Sequence, residues 1–212
     1  MLTDLLNPEK ALIFRIVHKG NIEQILQTGC PSRNTAIQQD GYIEIGNKEL
    51  IQRRINREVP CPPGGVLSDY VPFYFTPFSP MLYNIKTGYG GVPKRPLSDI
   101  VILVSSLHHL KKHDVPFVFS DRHAYLKTAQ FSNTMQNLDW IIWTALQERN
   151  FKKDDAEKFE KYQAETLVYK HVSMDALLGI ACYNPNARDY VQQLASQYKV
   201  NVCIFSQNKW FL

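Results

Sequence analysis

Val59-Pro60-Cys61-Pro62-Pro63-Gly64-Gly65-Val66-Leu67-Ser68-Asp69-Tyr70-Val71-Pro72-Phe73-Tyr74-Phe75-Thr76-Pro77-Phe78-Ser79-Pro80-Met81-Leu82-Tyr83 is the stretch on which the reading of this chain turns. Its prolines and glycines break regular structure at the front, and its second half sets aromatic residues between further prolines. A run with so many rigid residues shapes a surface. Phe73-Tyr74-Phe75 reads as a strand, and Ser79-Pro80 starts a short helix carrying Met81, Leu82 and Ile85, with serine as cap and proline in the first turn. Three arginines, Arg53, Arg54 and Arg57, stand immediately before the run. They follow Asn47, which can cap a helix whose apolar residues Leu50, Ile51 and Ile55 are expected to face the core. Arg54 lies three beyond Ile51 and four beyond Leu50, at the edge of that stripe, and is the arginine best placed to reach inward.

Working outward, Leu12-Ile13-Phe14-Arg15-Ile16-Val17 reads as a strand ending at His18. A helix follows, with Asn21 as its cap, Ile22, Ile25 and Leu26 as its buried stripe, and Gly29 closing it in a left-handed conformation. Pro31 to Asn47 is polar and reads as a long loop, of a length that tends to be functional inside a compact domain. Asp99 to Val104 is apolar enough for a central strand, and Phe117 to Phe119 is another. Ser120 to Asn133 reads as irregular. Leu138, Ile141, Ile142 and Ala145 mark a helix ending near Asn150. Gln163-Ala164-Glu165-Thr166-Leu167-Val168-Tyr169 is a strand with a carboxylate in it, and Ser173 caps a further helix. Ile180 to Tyr183, a helix from Asn186 to Tyr198, and Asn201 to Phe205 complete the pattern. Strands and helices do not alternate strictly, so the fold class is α+β rather than a doubly wound sheet.

Composition bounds the rest. A chain of 212 residues suits one domain over residues 1–212. Its 24 Lys and Arg against 20 Asp and Glu give +4, which tolerates an anionic partner without requiring one. Cys30, Cys61, Cys182 and Cys203 are scattered, which favours a reduced, intracellular protein over a disulfide scaffold. The N-terminus is a poor signal peptide, and no apolar stretch approaches the ~20 residues of a membrane span. A soluble cytoplasmic protein is the expectation.

Gly88-Tyr89-Gly90-Gly91 lacks the Lys-Ser/Thr partner of a P-loop and the trailing glycine of a dinucleotide turn, so it reads as a plain loop. His109 and His113 could share a helix face, but Lys111 and Lys112 intervene and no carboxylate stands at zincin spacing, which favours surface histidines over a metal site. His18, where a strand passes into a helix, is either satisfied by loop groups or available to a polar ligand. Ser120-Asp121-Arg122-His123-Ala124 follows a strand end and reads as a turn or as part of an active site. Glu165 is the sharpest single residue, because a carboxylate pointing inward from an apolar strand must be paired or functional. The aromatic residues of the opening run are mostly core, with one or two rings left to stack a nucleobase or nicotinamide.

Taken in order, Arg15-Ile16-Val17-His18 with Asn21 and Gly29, the Arg53-Arg54 helix, the proline-aromatic run, Asp121-Arg122-His123-Ala124 and Gln163-Ala164-Glu165-Thr166-Leu167-Val168 resemble the DarT family of NAD-dependent ADP-ribosyltransferase toxins, which modify bases in single-stranded DNA. The resemblance runs from about Phe14 to about Val172. It implies an ADP-ribosyltransferase-like mixed fold with a split β-sheet around an NAD cleft. It further implies Glu165, Arg54 and His123 as catalytic residues, although the sequence leaves Arg53 open beside Arg54. Arg15, Ile16, Val17, His18, Asn21, Gly29, Arg54, Tyr74 and Met81 would bind NAD, and Tyr74, Phe75, Met81 and Tyr83 would line the wall between cleft and DNA. Residues 31–56 would form the NAD-binding element and residues 121–165 the substrate loop. Family members often carry His, Thr and Arg where Arg15, Val17 and Phe78 stand. The expected partners are NAD, single-stranded DNA with thymidine as the modified base, and a macrodomain antitoxin, with no membrane. A noncatalytic single-strand binder and a transferase acting on RNA or protein are the alternatives.

Overall fold

The computed structural model describes residues 4–36 and 41–211; residues 1–3 of the N-terminal stretch read above as unlike a signal peptide, and 37–40 of the expected long loop, lie outside the described residues. The strands are β1 (Leu12–His18), β2 (Cys30–Pro31), β3 (Tyr70–Tyr74), β4 (Ile100–Ser106), β5 (Phe117–Ser120), β6 (Phe131–Ser132), β7 (Glu165–Tyr169), β8 (His171–Val172), β9 (Gly179–Cys182) and β10 (Ile204–Ser206). The helices are α1 (Ile22–Thr28), α2 (Lys48–Arg54), α3 (Pro80–Thr87), α4 (Leu107–Lys112), α5 (Trp143–Glu148), α6 (Ala156–Tyr162) and α7 (Pro185–Gln197).

Among the described residues eight strands form one mixed sheet, ordered β10-β9-β4-β1-β3-β7-β5-β6, and β2 pairs with β8 separately. Strand β4 is buried along its whole length, as its apolar sequence requires of a central strand. It pairs with β1 over seven residues. Between β1 and β3 the ladder shrinks to one pair, Phe14 with Tyr74. The sheet is therefore nearly split into two halves, β10-β9-β4-β1 and β3-β7-β5-β6. Across the opening the Arg15 guanidinium donates to the Pro72 carbonyl at 3.0 Å, a side-chain bond where backbone pairing has stopped.

Local sequence explains most elements. Ser79 accepts from the Leu82 amide, Pro80 sits in the first turn, and α3 ends at Gly88 with φ 80° and ψ 10°, a left-handed residue that suits glycine. Asn47 caps α2 by accepting from Leu50 N at 3.0 Å. Asn184 and Pro185 start α7 in the same way, and its buried residues Ala187, Val191 and Ala195 follow a helical spacing.

Several expectations are corrected. Asn21 stands at the N-cap of α1 but makes no side-chain cap there; its amide is engaged elsewhere. Gly29 does close α1, its N–H bonding the Ile25 carbonyl at a positive φ of 74°, but its ψ of −163° is extended and not left-handed helical, and a Cβ there would come within 2.4 Å of the Val172 carbonyl. Glycine is needed both for that positive φ and because β8 passes so close. The helix expected through Leu138 to Asn150 is two pieces, a 3-10 segment Met135–Trp140 and α5, because Ile141 and Ile142 leave the helical region at ψ 124° and 78°. Ser173 makes no side-chain cap and only a 3-10 turn follows it. Helix α6 lies where no element was expected. Its signal was present: the Asp155 carboxylate accepts from Lys158 N, and Phe159 and Tyr162 follow at a spacing of three.

Candidate active site

Strand β7 is flanked by β3 and β5, and its first residue, Glu165, pairs with Tyr74 and with Ser120. The local sequence buries it: Ala164, Thr166, Leu167 and Val168 are all buried, and Glu165 itself is 2 % exposed. A carboxylate so placed needs compensation. Arg54, from the last turn of α2, supplies two parallel hydrogen bonds, Nη1 to Oε1 and Nη2 to Oε2, both at 2.9 Å. The Ala124 amide donates to Oε1 at 2.8 Å, and His123 Nδ1 lies 3.3 Å from the same oxygen. The turn carrying His123 and Ala124 is itself clamped, since Gln130 N donates to Asp121 Oδ1 at 2.9 Å and Asp121 N to the Gln130 carbonyl at 3.2 Å. Arg122 then ties Asp121 to Glu160 on α6.

Burial is the largest single influence on Glu165 and pushes its carboxyl up, but Arg54, His123 and the Ala124 amide together outweigh it and hold the group below the ordinary glutamate range. Burial likewise acts to lower Arg54, and the facing carboxylate reverses that, so the guanidinium is held more firmly protonated than usual. For His123 burial wins over the pull of Glu165 and the ring is held below the ordinary value, neutral near pH 7. Burial, with Glu165 next, pushes the Tyr74 phenol up to about 12.

These directions define two windows of stability. Glu165, depressed in the fold, contributes stability that is full above the ordinary glutamate value of about 4.3 and is lost as pH falls through its lower folded value. His123 acts in the window below its ordinary value of about 6.5: there the unfolded chain takes up a proton that the fold resists, so stability declines from that pH toward the folded value. Urea midpoints are therefore expected to be flat from pH 7 to 8, to fall below about 6.5, and to fall further below about 4. In His123→Gln the first decline should shrink; an unchanged profile would contradict the assignment.

The opening in the sheet is a cleft of about 260 Å³, and it shares Arg15, Tyr42, Glu44, Ile51, Arg54 and Pro72 with a neighbouring cavity of about 530 Å³ that runs under the loop carrying Ser32 and Arg33. Of the expected residues, Arg15, Ile16, Val17, Arg54, Tyr74, Met81, His123 and Glu165 line the cleft, and His18, Asn21 and Gly29 do not. His18 Nδ1 accepts from the Gly20 amide, the loop-satisfied reading of that residue. Leu50 and Ile51 line the cleft and are only half-buried, so the apolar stripe of α2 faces the cavity instead of the core. Arg53 is exposed and pairs with Glu49, which leaves Arg54 as the inward arginine. Phe75 is fully buried, edge-on to Phe119 and Trp143, and Tyr83 is 47 % exposed on the outer face of α3, so neither forms the cleft wall. Phe78 is buried beneath the Arg149 guanidinium, 3.7 Å from its ring centre. The His109 and His113 rings pack with centres 4.4 Å apart at a tilt of 52°, and His109 Nε2 bonds the Asp175 carbonyl.

Asn21 has a role that its sequence position did not suggest. Its amide donates to the Ile43 carbonyl at 2.9 Å and accepts from Ile43 N at 2.8 Å, fixing the loop that brings Ile43, Glu44 and Ile45 to the cleft. Asn21→Ala is expected to raise the apparent KM for a ligand of the cleft several-fold with kcat nearly unchanged, and to lower Tm by a few degrees, since two hydrogen bonds at a buried site contribute about 1–3 kcal/mol. Steady-state kinetics and thermal melts check it.

A mixed sheet that opens along one seam, with a carboxylate held at the floor of that seam by arginine and histidine, places the chain among α+β proteins of the ADP-ribosyltransferase type. Residues 14–212 match the family described as DarT, ssDNA thymidine ADP-ribosyltransferase, and the chain belongs to that family. It is 47 % identical over 208 residues to the DNA ADP-ribosyl transferase of Escherichia coli O127:H6, covering 97 % of this chain and 95 % of that one. A Thermus sp. 2.9 DarT in complex with ADP-ribosylated single-stranded DNA superposes with a TM-score of 0.89 at 34 % identity, over 97 % of this chain and 98 % of that one. The same protein in complex with NAD+ gives 0.83 at 33 % identity, over 97 % and 99 %.

Proposed function

We propose that this chain transfers ADP-ribose from NAD to thymidine in single-stranded DNA, releasing nicotinamide. The observation that carries the reading is the buried, bidentate Arg54–Glu165 pair with His123 at the floor of the cleft. A noncatalytic strand binder has no need to keep such a set at the cost of burying its charges. The cleft suits an anionic dinucleotide: Arg15, at the junction of the two cavities, has a buried Nε with no partner among the described residues. NAD supplies the ADP-ribosyl group and a leaving group whose departure builds positive charge at the anomeric carbon.

Glu165 serves that charge and can accept a hydrogen bond from a ribose hydroxyl, while Arg54 fixes both carboxylate oxygens and keeps the carboxylate ionised. The thymine nitrogen that attacks the anomeric carbon must lose its proton as the bond to nicotinamide breaks. Arginine is a poor base because it stays protonated, but a neutral His123 is suited to the task. Nδ1 lies 3.3 Å from Glu165 Oε1 and accepts from the Tyr125 amide at 3.3 Å; in the tautomer that gives up the Tyr125 bond and turns an Nδ1 proton to the carboxylate, Nε2 keeps the lone pair that accepts the proton. A single strand presents its bases without the energy of flipping them out of a duplex.

The reading takes the whole chain as one catalytic domain, consistent with a sheet that runs through both halves from β10 to β6. Among the described residues no helix is long and apolar enough to cross a membrane, and a cytoplasmic location suits an enzyme whose substrates are NAD and unpaired DNA. Unpaired DNA arises in the cell that makes the enzyme, so the activity is that of a toxin and calls for an antitoxin; the family resemblance implies a macrodomain that removes the mark. The test is labelled NAD with single-stranded oligonucleotides that contain or lack thymidine. Label on thymidine-containing strands alone is expected, and equal label on strands without thymidine would overturn the base assignment.

A further inference from the structure

The glycine-flanked loop Gly88-Tyr89-Gly90-Gly91 has no part in the cleft, yet it is built to present one side chain. Gly88, Gly90 and Gly91 have φ of 80°, 67° and 75°, and a Cβ on Gly90 or Gly91 would meet nothing within 4 Å. Between them Tyr89 is 53 % exposed, and Tyr83, on the outer face of α3, is 47 % exposed with its ring centre 6.4 Å away. Two large exposed rings side by side are unusual on a surface with no partner.

Cations surround the pair. Lys153 Nζ lies 4.7 Å above the Tyr89 ring and 3.2 Å from its hydroxyl. Lys94 packs beside Gly88, and Lys86 stands one turn beyond Tyr83. Of the acidic groups on α5 and α6, Glu148 pairs with Lys158 and Glu157 with Lys161, while Asp154 and Asp155 accept backbone N–H bonds at the start of α6 and keep their charge. The ledge is continuous with the cleft, because Asn84 and Val92, which bracket the loop, both line it, and Asn47 of the cleft donates to the Gly90 carbonyl at 3.5 Å.

We infer that Tyr83 and Tyr89 form a stacking ledge for a base of the single-stranded DNA that flanks the modified one, with Lys86, Lys94 and Lys153 facing its phosphates. Rings that take any base by stacking and lysines that take any phosphate give length dependence without sequence choice. This rests on the proposed DNA transfer. Two measurements keep the failures apart: equilibrium binding of a fluorescent oligonucleotide, which needs no chemistry, and transfer kinetics.

Tyr89→Ala should weaken binding of a long oligonucleotide roughly fivefold or more and raise its KM to match, since one stacked base is lost. The KM for a trinucleotide and the KM for NAD should stay within about twofold, a range set by the absence of any stack in either. Tyr89→Phe keeps the ring face and should bind as wild type. An unchanged affinity for the long strand, or an equal loss for trinucleotide and long strand, would overturn the ledge. If Tyr89→Ala weakens binding of the long strand but the wild-type protein labels no DNA, the ledge stands and the transferase reading falls.

Discussion

Glu165→Gln should abolish transfer, with activity down by about a thousandfold or more, because the proposed mechanism makes this carboxylate the charge that faces the positive centre as nicotinamide departs. The substitution is chosen over alanine for a structural reason. Glu165 is 2 % exposed and binds both Nη atoms of Arg54, so alanine would strand a buried guanidinium and cost about 3–5 kcal/mol. Glutamine keeps the shape and one oxygen acceptor. Activity and stability should therefore separate, with transfer lost while the melting transition stays cooperative. Activity within tenfold of wild type would show that another group meets the charge.

Arg54→Ala should fail in both respects. It leaves a buried carboxylate with only the Ala124 amide and His123, so the Glu165 carboxyl rises toward neutrality and the charge that assists departure is lost. Breaking a buried pair costs about 3–5 kcal/mol, which for a chain of this size lowers Tm by roughly 10 °C or more. Arg54→Lys distinguishes the two roles. Lysine restores the charge but cannot bond both oxygens at once, so stability should return in part while transfer remains at least tenfold down, roughly the cost of a lost charge-assisted hydrogen bond. Recovery of full activity in the lysine variant would contradict a geometric role for the bidentate pair. Circular dichroism melts with parallel rate measurements separate these outcomes.

The two residues to which the proposal gives the chemistry were legible as cleft residues because each broke a local pattern. Glu165 is a carboxylate in a buried strand, and Arg54 stands at the edge of an apolar stripe; both end up in the cleft, 2.9 Å apart. What local pattern cannot supply is the partner of a face. Leu50 and Ile51 have the spacing of a buried stripe, but spacing does not say whether the stripe meets core or cavity, and here it meets cavity. Asn21 illustrates the same limit. A cap and a loop clamp ask for the same side chain, and only the return of the chain at Ile43 decides between them. The single β1–β3 pair of Phe14 with Tyr74, which opens the sheet, depends on register between strands far apart in sequence. Gly29 was expected to close α1 with a left-handed residue, and it does end that helix at φ 74°; the further constraint, the Val172 carbonyl, is visible only once β8 is in place.

The central claim is covalent transfer to unpaired DNA at the Glu165 cleft, and incubation with NAD labelled in the adenylate phosphate tests it most directly. Single-stranded oligonucleotide containing thymidine should acquire label that survives denaturation and protease, in proportion to nicotinamide released. The same strand annealed to its complement should acquire little, and Glu165→Gln should yield none. Label confined to protein or RNA, or nicotinamide released with no label on DNA, would contradict the account.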